Sequence, residues 1–266
     1  MDTSKIAEHV NDGHAFEFPF HIEVELPQIY GIQITKFMVI ELLVALIMIL
    51  LFVPLAMKIK KGEPVKGHLS NLLEVFLLFI RDQIVRPCIG HGADKFLPFI
   101  WTIFFFILGM NLFGMLPGFG SPTASYSVTA VMAIIAFLAV VISGSFKLGP
   151  VKFWLSQVPH MEVPFGMGYI LKPLLFVIEV FGLFVKHFVL CIRLFANMFA
   201  GHLVLAVFTS FITAITTGWL LWAVVTVPSL GLAIAISLLE IFVAFLQAYI
   251  FTFLMSLFIG MGRHPH

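Results

Sequence analysis

Of the chain's 266 residues, 61% are hydrophobic and only 11% charged, and the mean hydropathy is +1.08. Soluble domains hold about 25% charged residues, so water is excluded as the main solvent. Recurring apolar runs of about 20 residues match the hydrocarbon core of a bilayer. The net charge of +1 is too dispersed to attract nucleic acid, and the chain reads as an all-α polytopic membrane protein.

Residues 1–35 form a polar, mildly acidic tail, with Asp2, Glu8, Asp12, Glu17, Glu23 and Glu25 against Lys5. A secretory signal begins with a basic region and a short apolar stretch, so this start reads as a mature tail. His9, His14 and His21 have no tight metal-ligand spacing. Residues 36–266 read as a single membrane domain. Its first span covers about 36–57, with Pro54 placed to kink the last turn. Lys58, Lys60, Lys61 and Lys66 follow at once. The stretch 69–89 mixes apolar residues with Glu74, Arg81, Asp82 and Arg86, the pattern of an interfacial amphipathic helix. A second span at 96–116 closes in "LPGFGSP", a Pro- and Gly-rich turn. A third covers 126–144, and a broken segment with Lys147, Lys152 and Glu162 comes next.

The fourth span, 173–217, has no Pro after Leu174; as one helix at 1.5 Å per residue it would be about twice the bilayer thickness. The fifth, 229–260, is also longer than a perpendicular crossing needs. About five spans result, the last two long and strongly tilted, suited to lie against a neighbouring cylinder. The basic loops all fall on one side if the tail is outside and the C-terminus inside. Cys88 and Cys191 are far apart, with neither a disulfide framework nor a metal site implied.

The chemistry is expected in polar residues that the last two helices carry into the membrane. Arginine at a helix centre costs about 2.5–3.5 kcal/mol on insertion scales, so it faces a cavity, a partner or a charge pathway. Glu179, Lys186 and Arg193 are seven residues apart, which on a helix drifts by only about 20° per step. Asn197, Ala200 and Val204 continue the row with small side chains that permit close approach by another helix. His202 lies about 180° round the axis from Arg193. On the last helix Glu240 and Gln247 share a face. An antiparallel hairpin turning near Gly218–Ser229 brings His202 to the level of Glu240 and Arg193 to that of Gln247.

Simpler readings stand beside these. Lys172 reads as a snorkelling anchor, Lys186 equally as an anchor or as part of the stripe, and Glu41 as interfacial. Asn197 and Gln247 also fit interhelical hydrogen-bond glue, and His202 with Glu240 a structural pair. Arg193, with some twenty mostly apolar residues on either side, is poorly placed to snorkel.

Three motifs, "RLFANMFAGH" from Arg193, "MNLFGMLPG" from Met110 and "LLEIFVAFLQAYIFTFL" from Leu238, resemble the a subunit of the membrane sector of rotary F-type ATP synthases. The resemblance extends from the first span to the C-terminus. It implies that Arg193 is the arginine facing the carboxylate of each passing c subunit, with Asn197 and Gln247 around it. Asn111 would line the outer-side access path, and Glu179 and Lys186 would belong to the inner-side exit. His202 and Glu240 stand where many bacterial members carry acid and histidine in the opposite order, an exchange resembling the mitochondrial version. The polar tail and basic inner loops look bacterial. The implied partners are the ring of c subunits, the b subunits of the peripheral stalk, the lipid bilayer and protons. No cofactor, metal or catalytic site of its own is implied, and the implied location is the bacterial cytoplasmic membrane.

Two departures stand out: Gly114 occupies a position where some bacterial relatives have an acid, and His187 one where Pro is common. A self-contained secondary transporter is the rival reading. It calls for inverted repeats and interrupted helices, and the sequence has no visible repeat. A purely structural scaffold would have no need of Arg193.

Overall fold

The computed structural model describes residues 15–18, 22–29, 32–62, 67–116, 120–156, 168–214 and 219–263. His9, His14, His21, Lys66, residues 117–119 of LPGFGSP, Glu162 and residues 215–218 lie outside the described residues. In the tail, β1 (Ala15–Phe18) pairs antiparallel with β2 (Ile22–Glu25), and β3 (Gln28–Ile29) with β4 (Ile32–Gln33). The alternation in AFEF and IEVE is a period-two signal; reading the tail as merely polar passed over it.

The rest is helical: α1 (Lys36–Lys60), α2 (His68–Phe79), a π-helical stretch (Ile80–Val85), α3 (Arg86–Ile89), α4 (Leu97–Gly114), α5 (Tyr126–Leu148), α6 (Pro150–Leu155), α7 (Gly168–Ala214) and α8 (Trp219–Arg263). Among the described residues, α1, α4, α5, α7 and α8 are long and apolar enough to cross a membrane. With 47 and 45 residues, α7 and α8 each extend about 70 Å, more than twice the roughly 30 Å hydrocarbon core.

Among the described residues, Pro54, Pro173 and Pro228 lie in helix interiors. α1 continues through Pro54 to Lys60, α7 contains Pro173, and α8 begins at Trp219 and runs through Pro228. A proline removes one backbone hydrogen bond. In a membrane helix the freed group finds a neighbouring partner, and leaving the helix would expose more unpaired backbone.

The interfacial segment buries none of the α2 side chains, and Leu69, Leu72, Val75 and Leu78 are exposed along it. In the π-helical turn Ile80, Ile84 and Val85 are buried while Arg81 and Asp82 face out. Asp82 Oδ1 accepts from Arg81 Nε at 2.9 Å and from Arg86 Nη1 at 3.2 Å, and Arg86 Nε donates to Asp94 at 3.3 Å. The hydrogen-bonded Arg81 guanidinium holds the Asp82 carboxyl below its ordinary value.

The chain divides into two compact units. The first comprises Met1–Met57, Phe105–Thr129 and Arg193–Ala248. Its core is built from Phe37, Ile40 and Val44 of α1, Ile107 and Met110 of α4, Leu194 and Met198 of α7, and Ala244 and Ala248 of α8. A Cβ at Gly109 would lie 2.7 Å from Val44 Cγ1; the missing side chain lets α4 and α1 approach. The second unit comprises Lys58–Phe104, Ala130–Ile192 and Tyr249–His266. There Ile100, Phe104, Ala136, Phe153, Phe251 and Met255 are fully buried. Gly144 and Gly262 pack on the Phe153 ring, and Gly260 lies against the Cys88 carbonyl.

Candidate functional site

Within the first unit α7 and α8 bring His202 and Glu240 together, with Nδ1 3.8 Å from Oε1. Glu240 is 4% exposed. Both its carboxyl oxygens and His202 Nε2 are buried without a hydrogen bond among the described residues. At 3.8 Å the pair is within ion-pair reach but beyond hydrogen-bond distance. Buried oxygens left in that state are costly unless a proton or a bridging water satisfies them. Gly201 creates the space: a Cβ there would lie 2.7 Å from Glu240 Oε1 and 3.2 Å from Cδ. This glycine has no role in the residue pattern alone; its signal is a small residue beside a histidine inside a span.

Asn111, the last polar residue of α4, is fully buried. Its Nδ2 donates to the Ala244 carbonyl of α8 at 3.2 Å, and its Oδ1 accepts from Thr123 Oγ1 at 2.6 Å. Thr123 Oγ1 also lies 2.8 Å from Ser121 Oγ. Ser121 and Thr123 are themselves buried. Neither was expected from the sequence, where Ser121 read as part of the LPGFGSP turn and Thr123 had no role. Gly114 packs directly on Ser121: a Cβ would fall on the serine side chain and lie 2.6 Å from its Cα. An acidic side chain at that position has no room here.

Arg193 is half-buried, and Asn197, Ala200 and Val204, each a turn further along α7, are exposed. Among the described residues neither the Arg193 nor the Asn197 side chain forms a hydrogen bond or ion pair, and the Gln247 side chain, in a residue 4% exposed, forms none either. No hydrogen bond joins Arg193 to Gln247. The polar row thus ends on a surface that the described residues do not cover.

In the second unit Lys186 Nζ lies 3.5 Å from Glu179 Oε1, both side chains half-exposed, and 6.0 Å from the centre of the Phe258 ring. His187 is buried: its Nδ1 is 2.9 Å from the Leu183 carbonyl oxygen, with Phe137 edge-on and Phe258 tilted beside it. The structure places it as a packing residue among aromatic rings. No three His, Cys, Asp or Glu side chains group as for a metal ion among the described residues.

Five spans carrying an acid–histidine pair, an acid–lysine pair and an arginine inside the apolar phase define a class: polytopic helical membrane proteins that move ions. Residues 38–260 match the family described as ATP synthase A chain. The chain is 40% identical to ATP synthase subunit a of Chloroherpeton thalassium, over 96% of this chain and 75% of that protein. It is 38% identical to ATP synthase subunit a 2 of Chlorobaculum tepidum, over 97% and 72% respectively. To ATP synthase subunit a of Anaeromyxobacter dehalogenans it is 36% identical, over 97% and 70%. The chain belongs to the ATP synthase A chain family, the a subunits of the F-type membrane sector, as a multi-pass bacterial membrane protein of ATP synthesis and ion transport.

Proposed function

We propose that this chain provides two laterally offset aqueous half-channels to the carboxylates of a c-subunit ring, with Arg193 as the barrier between them. The observation that carries the reading is Arg193 itself. It is a half-buried cation inside a span, without an ion-pair partner among the described residues, and the row above it is exposed. A guanidinium holds its proton across the working pH range, so it calls for a counter-charge that the described residues do not supply. A carboxylate on a moving ring supplies that charge, and a nearby cation favours the ionised carboxylate. Asn197 and Gln247 offer hydrogen bonds around it.

Protons enter from outside along the path of Asn111, Glu240 and His202. Glu240 and His202 are near enough, at 3.8 Å, to pass a proton through one water. An imidazole suits the step because its ordinary pKa of about 6.5 lies near working pH. The ring carboxylate is neutralised, moves through lipid, and releases its proton near Glu179 and Lys186. Each charge crossing 100 mV yields about 2.3 kcal/mol, and ring rotation delivers it to ATP formation elsewhere in the complex. The chain has no catalytic site of its own in this scheme. The membrane domain, residues 36–266, sits in the cytoplasmic membrane with the tail outside and the C-terminus inside, and b subunits tie it to the stalk.

Arg193→Ala should abolish coupled ATP synthesis while the complex remains assembled in the membrane; synthesis at the normal rate refutes the barrier role. Proton flux measured in Glu240→Gln and His202→Ala tests the relay, and unaltered flux in both excludes it.

A further inference from the structure

We propose that Thr123 and Ser121 are positioning residues for Glu240, acting through Asn111, which ties α4 to the backbone of α8 one turn beyond that carboxylate. The inference rests on the functional reading above and adds two residues to it.

The hydrogen bonds have a single polarity. Asn111 Oδ1 carries no proton, so the Thr123 hydroxyl must donate to it at 2.6 Å. The 2.8 Å contact between Ser121 and Thr123 then has Ser121 as donor. Asn111 Nδ2 in turn donates to the Ala244 carbonyl at 3.2 Å. That carbonyl has a second lone pair for a donor outside its own helix ladder. Every bond therefore points from the turn through α4 into α8, and Ser121, Thr123, Asn111 and Ala244 are all 1% exposed or less.

Such a chain aims and does not conduct. A carboxamide keeps its N–H protons, and a backbone carbonyl at the end has nothing to pass on. What the chain holds is the backbone from which Glu240 projects. Neither oxygen of Glu240 has a hydrogen bond among the described residues. His202 on α7 faces it at 3.8 Å, and the α4 group facing this part of α8 is the neutral Asn111. A carboxylate so lightly tethered takes its place from its main chain. Gly114 belongs to the same device, because only a glycine lets Ser121 come close enough to start the chain.

The test uses the assembled complex in inverted membrane vesicles, with ATP-driven proton pumping recorded across pH. Thr123→Val keeps the shape but leaves Asn111 Oδ1 buried and unsatisfied. It should lower pumping on the order of tenfold and displace the pH profile. Thr123→Ser, which keeps the hydroxyl, should restore both. Asn111→Leu with Thr123→Val should be no worse than Asn111→Leu alone, since the two act through one network. Wild-type pumping and profile in Thr123→Val, or a Thr123→Ser variant as impaired as the valine, overturns the proposal. If Thr123→Val does not assemble, Ser121→Ala decides: a displaced profile supports the proposal and an unchanged one overturns it. Arg193→Ala, run in parallel, separates the two claims. Coupled pumping in that variant sinks the functional reading, whereas an inert Thr123 series beside an inactive Arg193→Ala sinks only this inference.

Discussion

Replacing Gly201 with alanine tests the His202–Glu240 geometry directly. The added Cβ would sit 2.7 Å from Glu240 Oε1, 0.7 Å inside the 3.4 Å at which ordinary contact begins, and 3.2 Å from Cδ. Oε1 is also the atom that faces His202 Nδ1 at 3.8 Å, so any relief of the clash alters that separation. Because both oxygens are buried, the carboxylate must rotate into packed surroundings. Overpacking of this kind costs about 1–3 kcal/mol. If the proton-passing arrangement bears that cost, pumping falls about 5- to 150-fold. The assay is ATP-driven pumping in inverted vesicles, normalised to assembled complex. Glu240→Asp retracts the carboxylate by one methylene, about 1.5 Å, which exceeds the overlap. The Gly201→Ala/Glu240→Asp double variant should therefore pump better than Gly201→Ala alone. Wild-type rate and pH profile in Gly201→Ala, or losses from the two changes that simply add, would refute the reasoning.

Gly114→Asp should sharply reduce the amount of complex recovered from membranes, since its Cβ would fall on Ser121, with that residue's Cα only 2.6 Å away. Gly260→Ala should do the same by driving a Cβ onto the Cys88 carbonyl, while Gly182→Ala, which meets nothing within 4 Å, leaves recovery unchanged. Glu179→Gln and Lys186→Gln should assemble normally, because a half-exposed pair at 3.5 Å contributes at most about 1 kcal/mol; their effect should appear in proton release, measured as flux. The Asp82 carboxyl is held below its ordinary 3.8 by Arg81 and Arg86. A lowered folded-state value means its stabilisation is present above 3.8 and lost as pH falls through the lowered value. Hydrogen-exchange protection of Ile80–Ile89 should therefore not change between about pH 5 and 8. It should weaken only in stronger acid, and Asp82→Asn should remove that acid dependence.

The His202–Glu240 meeting was legible in the sequence, since helical periodicity and an antiparallel hairpin bring the two residues level. It survives the finding that α8 starts at Trp219 and passes through Pro228. The β1–β2 pairing was written in AFEF and IEVE but hidden by the overall polarity of the tail. The contacts of Gly201, Gly114, Ser121 and Thr123 were not legible, and Gly114 stood out only as a departure from the pattern of the family it resembles. A glycine's role is set by what a Cβ would meet, and here that is a Glu240 oxygen on another helix or Ser121 across a turn. The turn hydroxyls acquire meaning only once Asn111 is seen holding the Ala244 carbonyl, 133 residues along the chain.

By itself the sequence determined the solvent, the number of spans, the excess length of the last two helices and the identity of the ionisable residues inside them. These follow from transfer free energy and a 3.6-residue period, both local properties of the chain. Tertiary structure decided which residues touch: Gly201 on Glu240, Gly114 on Ser121, Gly260 on Cys88, and Thr123 through Asn111 on α8. Such contacts depend on crossing angle and interhelical distance to within a fraction of an ångström, and no local period encodes either.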